Sequence, residues 1–461
     1  MIRVSTLPGS LRRVLEPFRP CFTTPTFTTF VTLLAGMIVR PGQRTVCGML
    51  AGAGLAGVWH HSRAHRFFAA ARWRPDAVGL TVLRLIVGHL TPVGAPLLIA
   101  VDDTLFRRCG RKVFAAHWGY DGSLKVAKGN QKLSRGNTFV VTAVVVELPF
   151  LDRPVALPVL ARLRRRGGPT KTMLARELIE LIAAAAGRIV HVVGDGGYVC
   201  TKLRHLPPNV TLTGPLPSHA SLWHVHSDLD QPPRMRRRGR PRVYGARIGT
   251  PAELAAATPA TPVTVTRYGR ATTVQLHHQR CLWRGVFAGR PVRVLVVTEP
   301  GQPTIALVTT DLTTSISGIV DFYAARWSIE VTFEDAKQIT GVGEARNRTQ
   351  RAVERTVPFG LYTQSVVIVW YHLAGHHPNV VRDRRDRAPW VHHQAPPLVP
   401  RHDRQTATRP DRRPISSRSA QPADPGGNPR RPPGLGAGSR IAAKAETLSS
   451  TQVIVRMFDS R

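Results

Sequence analysis

The chain has 461 residues, 43% of them hydrophobic, and carries 64 Lys+Arg against 28 Asp+Glu, a formal net charge of +36. That excess would repel itself in isolation and suits a polyanionic partner, nucleic acid before a membrane surface. No apolar run reaches the ~18 residues of a membrane span, no signal-peptide pattern opens the chain, and five scattered cysteines offer no zinc or disulfide framework, so a cytoplasmic protein with no membrane partner is expected.

Residues 1–88 read as a helical N-terminal domain. The small, apolar Thr45–Trp59 precedes His60–Trp73, where Arg63, Arg66 and Arg72 stand beside Phe67 and Phe68. A basic second element of this kind can enter a DNA groove; an ordinary helix with a basic face has the same composition. Residues 89–200 change character. The apolar run Pro96–Val101 ends in Asp102-Asp103-Thr104, and Thr138–Leu148 has the Val/Thr content of a strand. Thr170–Ala186 has helical periodicity, a Thr to start it and Gly187 to stop it. The β-branched Arg188–Val193 then ends in Gly194-Asp195-Gly196-Gly197. Strands followed by a helix and another strand predict a mixed α/β core. His117-Trp118 and Gly136-Asn137 are read as parts of its first sheet, without chemistry.

Residues 201–315 read as a β-rich insertion, with strands at Val263–Arg267, Thr272–His277, Val292–Thr298 and Thr304–Thr309, and a basic Gly/Pro loop at Arg234–Arg242. Residues 316–378 return to helix. In residues 381–440, 13 Arg and 11 Pro replace any apolar periodicity, so the tail 379–461 cannot bury enough surface to offset chain entropy. An Arg/Pro-rich end of this kind reads as out-of-frame translation of GC-rich DNA.

Two carboxylates stand where strands end, at Asp102-Asp103 and at Asp195. Ligands bind at the carboxyl ends of strands in α/β sheets, although an Asp at a strand end, taken singly, is more often a turn residue or helix cap. The stretch Tyr323–Lys337 is sharper. Tyr323, Arg326, Glu330 and Lys337 fall within ~60° of one helical face, while Trp327, Ile329 and Phe333 point elsewhere. A polar face on a helix buried on other sides needs charge, metal or phosphate as a partner. Three carboxylates beside cations suit phosphoryl transfer with two Mg²⁺ or Mn²⁺ ions, Arg326 and Lys337 holding a phosphate and Tyr323 donating to it.

The spacing Tyr323-x2-Arg326-x3-Glu330-x6-Lys337 resembles the Y-R-E-K signature of insertion-sequence-four-type DDE transposases. VDDT (Val101–Thr104) and VVGDGGYV (Val192–Val199) look like the segments holding their first two catalytic Asp residues. The resemblance selects Asp103, directly before Thr104, over Asp102, and with it Asp195 and Glu330 as metal ligands and catalytic residues. One departure is Gly196, where many relatives carry Arg. Glu334, one turn past Glu330, could reach the same ions, and spacing alone prefers Glu330. The resemblance covers roughly residues 30–375. It implies a ribonuclease-H-like catalytic core with a β-rich insertion, an enzyme of the bacterial nucleoid, and a homodimer acting on double-stranded DNA at inverted repeats and target.

Two weaker features point the same way. Arg238, Arg240 and Arg242 around Gly239 and Pro241 resemble a minor-groove hook, or a solvated loop touching phosphates. Trp283 could stack on a displaced base, as an insertion-domain Trp does in some relatives, or lie in a core. Two other functions fit the same residues: a DNA-binding protein without catalysis, and a ribonuclease-H-like nuclease that does not join strands.

Overall fold

The computed structural model describes residues 7–374, apart from 41, 125–129, 152, 226–242, 268–269 and 288. The loop with Arg238, Arg240 and Arg242 and the tail 379–461 lie outside the described residues. Among the described residues no helix is long and apolar enough to cross a membrane.

The chain begins with five helices: α1 (Gly9–Leu15), α2 (Thr24–Val39), α3 (Val46–Gly52), α4 (His61–Ala69) and α5 (Pro75–Leu90). Thr45 caps α3 by accepting from the Gly48 amide at 3.0 Å. Gly36 and Gly52 let α2 and α3 touch backbone to backbone, since a Cβ on Gly36 would fall on the Met49 carbonyl. These helices do not have a core of their own. They close on α10 (Gln350–Ala374), where the Phe359 ring meets Phe30, Phe67 and Phe68 edge-on at 5.9, 6.0 and 5.3 Å. The buried Arg355 of α10 donates to the carbonyls of Phe68 (3.1 Å) and Trp73 (2.6 Å). One contiguous apolar core runs from Leu11 to Tyr371.

A single mixed sheet follows. Its strands are β1 (Leu97–Arg107), β2 (His117–Tyr120), β3 (Leu133–Val146), β4 (Val155–Leu163), β5 (Val190–Gly194), β6 (Val210–Pro215), β7 (Leu222–Val225), β8 (Tyr244–Gly249), β9 (Thr261–Arg267), β10 (Arg270–Trp283), β11 (Pro291–Thr298) and β12 (Ile305–Thr309). The order is β2-β3-β1-β5-β6-β12-β11-β10-β7-β8, with β4 on β3 and β9 on β10. β1, β3 and β4 are antiparallel neighbours; β5 and β6 run parallel to β1. α6 (Lys171–Ala186) connects β4 to β5, capped by Thr170 and ended by Gly187 at φ 63°, as its sequence predicts. α7 (Pro251–Ala257) carries a capping box at Thr250 and Glu253. α8 (Ile316–Ala325) and α9 (Trp327–Gln338) lead to α10. α9 is fastened to the sheet where the Thr332 hydroxyl donates to the Ala156 carbonyl of β4 at 2.7 Å.

Three expectations change. β1 does not end before Asp102-Asp103, because its antiparallel pairing with β3 continues to Arg107 after the parallel pairing with β5 stops at Val101. β6 lies inside the stretch 201–315 read as an insertion, yet it pairs with β5 and extends the core sheet. The helix Tyr323–Lys337 is two helices meeting at Arg326. There the Ser328 hydroxyl takes the Ala325 carbonyl, and the Arg326 and Ile329 amides bond three residues back, tightening the turn. Trp283, given two readings, is 7% exposed and packed against Phe287 in the main core.

Candidate active site

Two parallel strands bring the first carboxylates together. The β1–β5 pairing ends with Val101 opposite Gly194, so Asp102 and Asp195 leave it at the same level. Asp195 turns the chain, its Oδ1 accepting from the Gly197 amide at 2.9 Å. Asp102 and Asp103 point to opposite faces, as successive strand residues do. Asp103 meets Lys171, the first residue of α6, at 2.6 Å and accepts from the Tyr198 hydroxyl at 3.2 Å. Asp102 meets the α8–α9 junction, where Arg326 Nη1 lies 3.8 Å from its Oδ2 and 2.9 Å from Glu330 Oε1. Arg326 therefore links the sheet carboxylate to the helix carboxylate.

The crowding has electrostatic consequences. Burial pushes the Asp102 carboxyl up to about 7; Asp195 and Asp103 add to this, while the Asp103 amide and Arg326 work against it. Burial, reinforced by Asp103, Asp102 and Asp195, drives the Tyr198 phenol far above its ordinary range, so its hydroxyl remains a donor. Burial opposes the charge on Arg326, but Glu330, Tyr323 and Asp102 outweigh it and hold the guanidinium above its ordinary value. Arg326 Nε is buried without a hydrogen-bond partner. Glu330 stands in the first turn of α9, where a negative charge is favoured by the helix dipole.

The other expected residues are dispersed. Tyr323 stands in the last turn of α8 with its ring 5.7 Å from the Arg326 guanidinium and packs against a smaller core that includes Leu276 and Ile319. Lys337, two turns beyond Glu330, lies at the far end of β1, its ammonium 5.6 Å from the Phe106 ring centroid. Burial lowers its pKa, partly offset by Asp121. Ile329 and Phe333 are buried as expected, whereas Trp327 is 45% exposed. Glu334 is exposed and accepts from Gln338 at 3.0 Å, away from the Arg326–Glu330 pair. Sequence reasoning gave no role to Lys171 or Tyr198. Tyr198 sits inside the quoted VVGDGGYV segment, so its place three residues past Asp195 was the available signal; nothing marked Lys171.

Asp102, Asp103, Asp195 and Glu330 are hard oxygen donors of the type Mg²⁺ and Mn²⁺ take, and the repulsion around Asp102 is of the kind a divalent cation relieves. As placed, these carboxylates are held by Lys171, Arg326 and backbone amides. Among the described residues no three His, Cys, Asp or Glu side chains converge on one ion position.

The family model for the DDE superfamily endonuclease matches residues 17–290, more than half of the chain, including Asp102, Asp103 and Asp195 and ending before Glu330. Among solved structures, the cryo-EM structure of the piggyBac transposase synaptic complex with hairpin DNA aligns over 84% of this chain and 81% of that one. Its sequence identity is 11% and its TM-score 0.36. No curated protein matches the sequence. Endonucleases of this superfamily generally work with divalent metal ions, and by the family match the chain belongs to the DDE superfamily endonucleases.

Proposed function

We propose that the chain is a transposase of the insertion-sequence-four type with a ribonuclease-H-like core. It cuts double-stranded DNA at inverted-repeat ends and joins the freed ends to target DNA as a homodimer. Asp103, Asp195 and Glu330 would hold two Mg²⁺ or Mn²⁺ ions. The reading is carried by one observation: within a DDE superfamily endonuclease, the β1 carboxylate Asp102, level with Asp195 after β5, meets the Arg326–Glu330 pair at the start of α9.

In the first step a water oxygen attacks phosphorus and the bond to the 3′-oxygen breaks, leaving a 3′-hydroxyl. In the second, that hydroxyl attacks a target phosphodiester and displaces its 3′-oxygen. Bound divalent ions would supply Lewis-acid activation and charge stabilisation at the reacting phosphate. Lys171 and Tyr198 orient Asp103 from two sides, and Arg326 orients Glu330. The free N–H at Arg326 Nε and the Tyr323 hydroxyl donate to phosphate oxygens, and Lys337 adds positive charge along the strand.

A second assignment of the first carboxylate has its own support. Asp102, not Asp103, faces Arg326, and it shares a level with Asp195. The test of both uses purified protein, Mg²⁺ and a plasmid bearing the gene with its flanking DNA. Cutting at the element ends followed by joined product is expected, both lost in E330Q. Cutting without joining would reduce the protein to a nuclease; specific retention of the ends without cutting would make it a binding protein.

A further inference from the structure

The far end of β1 leads into a second concave feature. A cavity of about 420 Å³ lies between the β1–β2 loop and the chain after α9, lined in part by Arg107, Arg108, Cys109, Arg346, Asn347 and Arg348. The acid among its lining residues, Glu344, is occupied by the backbone amide of Arg44. Arg107 is paired with Asp121 at 2.7 Å, while Arg346 and Arg348 are exposed.

Arg108 sets this cavity apart. It is 6% exposed, and Nη2 has no hydrogen-bond partner. Nε donates to Asn137 Oδ1 at 3.1 Å, and Nη1 donates to the carbonyls of Gly343 (2.6 Å) and Ala345. Its partners are thus neutral. Burial alone pushes the guanidinium down to about 10, with no acid acting against it. A buried cation with no counter-charge is incompletely compensated, and an anion entering the cavity would supply that charge.

The surroundings hold this arrangement in place. Asn137 is fully buried and donates to the Phe114 carbonyl at 2.9 Å. Arg135 donates to the Gly110 and Arg111 carbonyls at 2.7 and 3.1 Å, and the Phe114 amide to the Arg348 carbonyl at 2.9 Å. Gly343 adopts φ +103° and a Cβ there would strike Phe106, so only glycine lets the chain after α9 close on Arg108.

We propose that this cavity is a binding subsite for a backbone phosphate of DNA, flanking the phosphate that is cut. The proposal rests on the reading of the chain as a DNA-cutting enzyme and adds where the strand is gripped. Both walls continue elements that carry the candidate carboxylates: β1 runs from Asp103 to Arg107, and α9 from Glu330 through Lys337 toward Gly343. At about 3.3 Å per strand residue, Arg107 lies about 13 Å from Asp103, roughly four base-pair steps of 3.4 Å along a DNA duplex axis. The fixed separation makes the subsite a ruler for the position of the cut.

The test uses the full chain and a fluorescein-labelled 25-bp duplex taken from the flanking DNA. Cys109 is exposed and lines the cavity, so its alkylation by iodoacetamide, read by peptide mapping, reports occupancy. With duplex at about ten times its Kd, Cys109 modification should slow about tenfold. In the double variant R346A/R348A the salt dependence of binding should become shallower by about 1.8, two phosphate contacts at ~0.9 each. The charge-matched R12A/R13A, altering the exposed face of the last turn of α1, should leave the slope unchanged. Unchanged Cys109 reactivity, or equal slopes in the two double variants, overturns the subsite. Protection of Cys109 in a protein that never cuts keeps the subsite and removes the catalytic reading. Cutting without protection does the reverse.

Discussion

The middle and the end of β1 carry opposite charges under opposite conditions. In the middle, Asp102 and Asp103 share a small region with Asp195, and each is met by a cation from another element, Arg326 or Lys171. Just past the end, Arg108 is more deeply buried and met only by carbonyls and an amide oxygen. A polyanion finds positive charge waiting at one place, while the other has its negative charge already covered. The contrast teaches that the strand separates gripping from reacting, about four residues apart, so each can be altered without the other.

The largest expected effect lies on the reacting side. D195N and E330Q should each lower cleavage by about 10³-fold, equivalent to roughly 4 kcal/mol at 1.36 kcal/mol per tenfold, with duplex affinity little changed. A parallel loss of binding would erase the separation between the two regions.

Asp102 gives the next effect, and it is one of stability. Its carboxyl is raised to about 7 in the folded chain, so the folded state holds a proton that the unfolded state has released between about pH 4 and 7. Stability should therefore fall as pH rises through that window. D102N should stabilise the metal-free protein at pH 8 by on the order of 2–4 kcal/mol, and the gain should vanish near pH 4. Urea denaturation at the two pH values measures this. Comparing D102N with D103N in the cleavage assay decides which of the two is essential; if only D103N abolishes cutting, the covering of Asp102 by Arg326 is structural.

On the gripping side, N137A removes the acceptor of Arg108 Nε and should cost about 1–3 kcal/mol of stability. Duplex affinity should fall with it, while the rate of cutting at saturating DNA should hold. A fall in the saturated rate would show that the two regions are coupled. The smallest effect belongs to E334Q. Glu334 is exposed and engaged with Gln338, so cleavage should stay within about twofold of wild type, as for surface substitutions in general. Its failure to cut would move the third carboxylate one turn along α9.

Much of the frame was legible from local pattern. Thr170 and Gly187 bound α6 because capping is a local interaction, and four strands in the stretch 261–309 follow from β-branched runs between Gly and Pro. Asp195 at the end of β5 was readable for the same reason. Partners distant in sequence were not. The choice between Asp102 and Asp103 depends on which strand face α6 and α9 cover, and Lys171 reaches Asp103 only because α6 packs back across the sheet. Whether Trp283 stacks or lies in a core was not readable, because a core Trp and a stacking Trp have the same neighbours in sequence; its burial favours the core. Asn137, read as part of a sheet without chemistry, gains its role only from Arg108, 29 residues earlier.

The clamp of Arg355 on Phe68 and Trp73 has a consequence for how such a chain can change. A recognition module joined by a linker can be exchanged between relatives as a cassette. Here the first helices and the last described one share a single interior, so the N-terminal helices can change only one surface residue at a time. A graft cut near residue 90 would strip α10 of its partners and expose the apolar side of the sheet it covers.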